Sequence, residues 1–82
     1  MPFSPGETKV LKLFYDRHLQ PGDYLEGGEI EALFENRDEC QMAVHALANI
    51  GYLVLGPEVG MSTPAAALSD WGFDMLEQGG LA

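Results

Sequence analysis

Three side chains have the chemistry of metal ligands or nucleophiles: His18, Cys40 and His45. Cys40 and His45 are five residues apart in a segment with helical periodicity, so they diverge around the helix. One cysteine and two histidines cannot supply four clustered ligands without recruiting carboxylates. We therefore expect no metal site and no cofactor. Cys40 is better explained as a small buried residue, and His18 as a residue that interacts with the carbonyls at a helix end.

No pattern in the sequence indicates catalysis. Gly27-Gly28 lacks the third glycine and the lysine of a phosphate-binding loop. A chain of 82 residues forms one domain with a thin core, and nothing in it predicts a substrate pocket. We expect a single domain over residues 1–82 that is not an enzyme.

Three large apolar residues occupy positions that suit contact with another protein. Trp71 is the second residue of a predicted helix, where it either folds over the edge of the core or anchors an interface. Met42 lies on the outer face of a predicted helix and Met61 in a predicted loop, and methionine suits adaptable contacts. We expect Trp71, Met42 and Met61 to bind a partner, as a homodimer or a hetero-complex built on the terminal helices.

The stretch Asp38–Leu55 predicts a helix followed by a strand. Val44, Leu47 and Ile50 recur at helical spacing, Gly51 ends the helix, and the next four residues are apolar and β-prone. The same reasoning predicts helices over about 5–19, 28–35, 38–50 and 70–78, and strands over about 24–25, 52–55 and 65–68. This pattern predicts an α+β domain.

Helix caps support these boundaries. Ser4, Pro5 and Glu7 have the spacing of a capping box with proline at the first helical position, and Ser69 is placed to cap the last helix. For the third helix two capping boxes are open: Asn36 with Glu39, or Asp38 with Gln41.

Two segments resemble the winged helix-turn-helix superfamily, in particular MarR-like and PadR-like regulators. Residues 47–53, LANIGYL, resemble the end of a recognition helix that closes on a glycine before the wing. Residues 68–77, LSDWGFDMLE, resemble the entry to the closing helix, in which Ser69 is the cap and Gly72 permits close packing on the sheet. The resemblance covers residues 5–78. It implies a three-helix core, a small β-wing and a C-terminal helix.

The resemblance also implies that the third helix enters the major groove of DNA. The DNA-binding residues would then be Gln41, His45 and Asn49, which could read base edges, and Arg37, which could contact a phosphate. The charges depart from this pattern. The net charge is −9, and residues 23–82 carry Arg37 alone against eleven acids. Phosphate contacts by cations supply most of the affinity for DNA, so we expect weak or no binding to duplex DNA.

These observations favour a small acidic regulatory or accessory module that acts mainly through protein–protein interaction. The alternative is a DNA-binding transcription regulator. A third hypothesis is an acidic inhibitor that mimics DNA, with carboxylates spaced like phosphates. The single cysteine excludes an internal disulfide, and no apolar run approaches the roughly 20 residues of a membrane span. We therefore expect a cytoplasmic protein without membrane contact.

Overall fold

The computed structural model describes residues 3–57 and 63–79. Within these ranges the chain forms four helices and one three-stranded antiparallel sheet, so the predicted α+β class is confirmed. In chain order the elements are α1 (Pro5–Asp16), β1 (Tyr24–Leu25), α2 (Gly27–Glu31), α3 (Arg37–Asn49), β2 (Leu53–Leu55), β3 (Ala66–Leu68) and α4 (Asp70–Glu77). None of the described helices is both long and apolar enough to cross a membrane.

Two predicted N-caps are present. The Ser4 hydroxyl accepts a hydrogen bond from the Glu7 N–H at 3.2 Å, and the Glu7 carboxylate accepts one from the Ser4 N–H at 2.8 Å. Pro5 is the first residue of α1. The Ser69 hydroxyl likewise accepts from the Gly72 N–H at 3.0 Å. These bonds satisfy backbone donors that have no partner within the helix.

The N-cap of α3 is Asn36, whose Oδ1 accepts a hydrogen bond from the Asp38 N–H at 2.8 Å. The helix therefore begins at Arg37, and the capping box of Asp38 with Gln41 is wrong. At the other end Gly51 has a φ of +91°, and the Tyr52 N–H donates to the Leu47 carbonyl at 2.9 Å. The prediction that this glycine ends the helix is confirmed.

The predicted end of α1, at about Leu19, is wrong. The helix ends at Asp16. His18 adopts a left-handed φ of +54°, and the Leu19 N–H donates back to the Phe14 carbonyl at 3.3 Å. This pattern of bonds closes the last turn and prevents further helix.

The second helix is shorter than the predicted 28–35. It spans Gly27–Glu31, with Ala32 as the C-cap. The two amide groups after Ala32 donate to carbonyls three residues earlier: Leu33 to Ile30 at 3.1 Å and Phe34 to Glu31 at 3.0 Å. The chain after Ala32 is therefore wound more tightly than an α-helix, and the helix ends before α3 begins.

The sheet has the strand order β1-β3-β2, so β3 is the central strand. Ala67 of β3 pairs with Tyr24 on one side and Val54 on the other. The two larger side chains are about half exposed, whereas Ala67 is buried. The neighbours therefore cover this alanine, which explains how a residue with low strand propensity occupies the centre of a sheet.

The core lies between α1, α3 and the inner face of the sheet, with single contributions from α2 and α4. Its buried members are Val10, Leu11, Phe14, Leu25, Ile30, Cys40, Ala43, Val44, Leu47, Leu53, Ala66, Leu68 and Leu76. Gly72 brings α4 against this core, because a Cβ there would lie within van der Waals overlap of the Tyr52 carbonyl oxygen.

Candidate protein-interaction surface

The outer face of α3 carries exposed apolar surface. The inward side chains of this helix are Cys40, Ala43, Val44 and Leu47, which are all buried. On the opposite side Met42 is 72% exposed. Helical spacing of four residues aligns Met42 with Ala46 and Ile50, so these three residues form one apolar stripe. The expectation that Met42 faces outward is confirmed by its exposure.

A groove runs between the first turns of α1 and the outer face of α3. It has a volume of about 390 Å³. Its floor contains Ala43 and Phe34, and Gly6 makes the close approach of α1 possible. A Cβ at Gly6 would lie 3.1 Å from the Phe34 ring and 3.4 Å from the Ala43 side chain. We call this feature the α1–α3 groove; its rim carries Glu7, Lys9, Glu39 and Met42.

Three rings form an aromatic patch where the end of α3 meets the start of α4. Trp71 meets Tyr52 edge to face, with ring centroids 5.2 Å apart, and Tyr52 meets Phe3 at 5.8 Å. The Trp71 ring also covers Gly51, where a Cβ would lie 3.2 Å from the ring. Trp71 nonetheless stays 62% exposed. It therefore lies over the edge of the core and still presents most of its surface to solvent.

Met61, the third residue expected to contact a partner, lies outside the described residues, as do positions 58–62 of the predicted wing.

The four residues considered for DNA contact all belong to α3. Asn49 is exposed, whereas Gln41 and His45 are half-buried. Arg37 is engaged within the protein, because its Nε lies 3.5 Å from a carboxylate oxygen of Glu31. Asp38 and Glu39 are exposed in the first turn of the same helix. The cation on the same helix as Gln41, His45 and Asn49 is thus partly neutralised and has acidic neighbours.

Two of the other three cations also make contacts within the protein. Arg17 pairs with Glu29, with Nη1 and Oε1 2.6 Å apart. The ammonium of Lys9 lies 5.5 Å from the centroid of the Phe34 ring, within range of a cation–π interaction. Two of the four Lys and Arg side chains are therefore paired with carboxylates.

Glu31 joins three parts of the chain that are distant in sequence. Its carboxylate accepts a hydrogen bond from the Thr63 N–H at 3.0 Å and lies close to Arg37. The hydrogen bonds from Thr63 are the main cause that lowers the pKa of Glu31, and the Arg37 guanidinium adds to them. The Thr63 hydroxyl is 3.7 Å from the Cys40 sulfur. We call these four residues the Glu31 cluster.

Gly27 permits the contact that the Glu31 cluster requires. A Cβ at Gly27 would overlap the carbonyl oxygen of Thr63, at 1.8 Å. Thr63 is 5% exposed, so the chain returning to β3 is pressed against the start of α2. Of the pair Gly27-Gly28, Gly27 therefore serves close backbone packing, whereas Gly28 has open space around it.

Cys40 has the environment of a structural residue. Its side chain is fully buried, and burial is the main cause that raises the pKa of the thiol. A thiol that holds its proton is a weak nucleophile. Across residues 3–57 and 63–79, no three His, Cys, Asp or Glu side chains are grouped in a way that could hold a metal ion.

Sequence reasoning did not identify Phe3, Tyr52 or Thr63 as parts of a cluster, and it considered Glu31 for a functional role only as one of the carboxylates that could mimic phosphates. Tyr52 follows the helix-ending Gly51, and an aromatic residue at such a position is a local signal for packing over a helix end. The roles of Glu31 and Thr63 have no local signal, because the two residues are 32 positions apart.

Comparison of the chain with protein-family models, with curated proteins and with solved structures found no match.

Proposed function

We propose that this protein is a small acidic winged-helix module with a regulatory or accessory role, acting mainly by binding another protein. The single observation that carries this proposal is the exposed apolar surface of α3 and its continuation in the aromatic patch. Met42 and Trp71, which are 72% and 62% exposed, are its most accessible residues.

The order of elements supports the winged-helix assignment. A helix and a short strand are followed by two helices, and a β2–β3 hairpin then leads to a final helix. β1 completes the sheet by pairing with β3. Under this assignment α3 would be the recognition helix, and the wing predicted over residues 56–64 would connect β2 to β3.

The chemistry of the surface favours a protein over DNA as the partner. Large exposed aromatic and methionine side chains are typical anchors of protein interfaces. A DNA interface requires several cations directed at phosphates, whereas Arg37 and Arg17 are both paired with glutamates. A DNA-binding role through Gln41, His45 and Asn49 is therefore the weaker alternative.

The hypothesis of DNA mimicry draws less support from the charges. It depends on seven carboxylates: Asp23, Glu26, Glu29, Glu31, Glu35, Asp38 and Glu39. Glu29 and Glu31 form ion pairs with arginines. Because these two carboxylates are partly neutralised, the seven do not form a continuous row of negative charges like the phosphates of DNA. We further propose a cytoplasmic location, because a single buried thiol suits a reducing compartment.

The test is a comparison of captured partners. Tagged wild-type protein, Trp71→Ala and Tyr24→Ala are used to capture proteins from a cell extract, and each captured protein is then purified and titrated by calorimetry. Tyr24 is the matched control, because it is an exposed aromatic residue on β1, outside the proposed surface. We expect a partner that binds wild type and Tyr24→Ala, and that binds Trp71→Ala at least about tenfold more weakly. Equal binding by all three proteins would contradict the proposed surface.

A further inference from the structure

We infer that the α1–α3 groove receives a cationic amphipathic helix from the partner protein. This inference rests on the proposed function and adds the chemistry of the segment that is bound.

The apolar residues that line the α1–α3 groove suit contact with the apolar face of a helix. Phe34 and Ala43 form the floor, and Met42 and Ala46 lie along one side. Residues four apart on α3 are separated by about 6 Å along the helix axis, which matches the spacing of apolar anchors on a second helix. Five of the ten lining residues are exposed. The groove is therefore an open channel along α3 rather than an enclosed small-molecule cavity.

The charges around the groove specify a cationic occupant. Glu7 and Glu39 line it, Asp38 is exposed in the first turn of α3, and Glu35 is exposed in the segment before that helix. Lys9 is the one cation among the lining residues, and its ammonium lies beside the Phe34 ring. Carboxylates thus flank an apolar floor, and basic residues beside the apolar face of a helix would complement them.

The same charges disfavour a second copy of this chain. Each copy carries a net charge of −9. A two-fold contact through α3 would bring two chains of this charge together, and like charges within roughly 8 Å of each other repel at physiological salt. A hetero-partner with basic residues avoids this repulsion.

The probes are three synthetic peptides of about 16 residues, or roughly four helical turns, with leucine at helical spacing on one face. Their remaining positions are lysine in the first peptide, glutamine in the second and glutamate in the third. Binding of each fluorescently labelled peptide to the full chain is followed by anisotropy at about 50 and 150 mM salt, a range over which charge attraction weakens. We expect the lysine peptide to bind most tightly and the glutamate peptide most weakly.

Three variants locate the bound peptide. Glu39→Lys reverses a charge at the groove and Met42→Ala removes an exposed apolar side chain there, so each should weaken binding of the lysine peptide about tenfold. Glu77→Lys makes the same charge change on α4, which contributes no residue to the groove, and should bind like wild type. All three positions are exposed, so the variants should keep the fold.

Each contrary result has a distinct meaning. Equal binding of the lysine and glutamine peptides would overturn the cationic occupant while leaving a protein-binding face. Equal weakening by Glu39→Lys and Glu77→Lys would show attraction to overall charge and overturn the groove as the site. No binding of any peptide would overturn the inference, whereas the proposed function fails only if capture shows no partner that depends on Trp71.

Discussion

At the scale of single residues, the Glu31 cluster shows how one carboxylate connects separate parts of a small protein. Glu31 ends α2, Arg37 begins α3, and Thr63 lies on the chain that returns to β3. The carboxylate therefore restrains the base of the predicted wing relative to α3. Because this one carboxylate contacts both segments, it limits the movement of α3 relative to the chain at Thr63.

The pKa of Glu31 makes its contribution depend on pH. The pKa is lowered in the folded state, chiefly by hydrogen bonds from Thr63. Its stabilisation is complete above the unfolded-state pKa, about 4.3, and is lost as the pH falls through the lower folded-state value. We expect Glu31→Gln to lower the thermal midpoint at pH 7 and to match wild type in strong acid. Glu35→Gln is the control, because it removes a carboxylate at an exposed neighbouring position outside the Glu31 cluster; it should change the thermal midpoint at pH 7 by less than Glu31→Gln does. If Glu31→Gln differs from wild type by the same amount at every pH, the prediction is wrong.

Cys40 supplies a second prediction at this scale. Burial raises the pKa of its thiol, so the unfolded chain releases the proton at a lower pH than the folded one. Stability should therefore fall as the pH rises above about 8.5, the usual value for a free thiol. A thiol-specific reagent should react slowly with native protein and rapidly in denaturant. Because the chain has one cysteine, the signal belongs to Cys40, and fast reaction of the native protein would show that the thiol is accessible.

At the scale of elements, two glycines determine how closely helices approach the rest of the fold. Gly27 lets α2 meet the chain at Thr63, and Gly72 lets α4 meet the chain at Tyr52. In both places a side chain would meet a backbone carbonyl rather than a flexible side chain. The backbone cannot move aside without displacing the chain on either side of it, so positions 27 and 72 favour glycine strongly.

The adjacent pair Gly27 and Gly28 provides a matched test of close packing. A Cβ at Gly27 would overlap the Thr63 carbonyl, whereas a Cβ at Gly28 meets nothing within 4 Å. We expect Gly27→Ala to destabilise the domain by about 2–4 kcal/mol. Gly28→Ala should be neutral or stabilise it by up to about 1 kcal/mol, because alanine favours helix. Denaturant unfolding measures both; equal effects would show that the approach of Thr63 is relaxed in solution.

Gly72 gives the corresponding prediction for α4. Gly72→Leu should cost a few kcal/mol, because its side chain would force the helix away from the Tyr52 carbonyl. Asp74→Ala, at an exposed position of the same helix, should change the free energy of unfolding by less than about 1 kcal/mol. If Gly72→Leu unfolds at the same denaturant concentration as wild type, α4 does not pack as described.

At the scale of the whole molecule, the net charge favours a cationic protein segment over nucleic acid as the partner. The net charge is −9, and two of the four Lys and Arg side chains form ion pairs with glutamates. A surface of this kind repels nucleic acid and attracts cationic segments at long range. Under the proposed function, the apolar residues on α3 supply the contact once a partner has approached.

We expect weak or no binding to duplex DNA at physiological salt. Few cations are available to neutralise phosphates. Gln41, His45 and Asn49 could contact base edges, but there would be too few phosphate contacts to fix the position of the protein on the duplex. Anisotropy titrations with random and selected duplexes at about 50 and 150 mM salt measure this. A sub-micromolar dissociation constant at the higher salt would favour the transcription-regulator alternative over protein binding.

Local signals in the sequence determined the elements of this protein and most of their boundaries. The capping box at Ser4, the cap at Ser69 and the glycine that ends α3 all depend on residues within one or two turns, so they could be predicted without tertiary structure. The exposure of Met42 also followed from helical periodicity.

Tertiary structure alone decided what those elements bring together. The Glu31 cluster joined residues as far as 32 positions apart. The groove exists because Gly6 brings α1 onto α3, and the aromatic patch because Phe3 reaches Tyr52. Periodicity shows which side of a helix is apolar, but it does not show which distant residue packs there, because that contact depends on the closure of the whole chain.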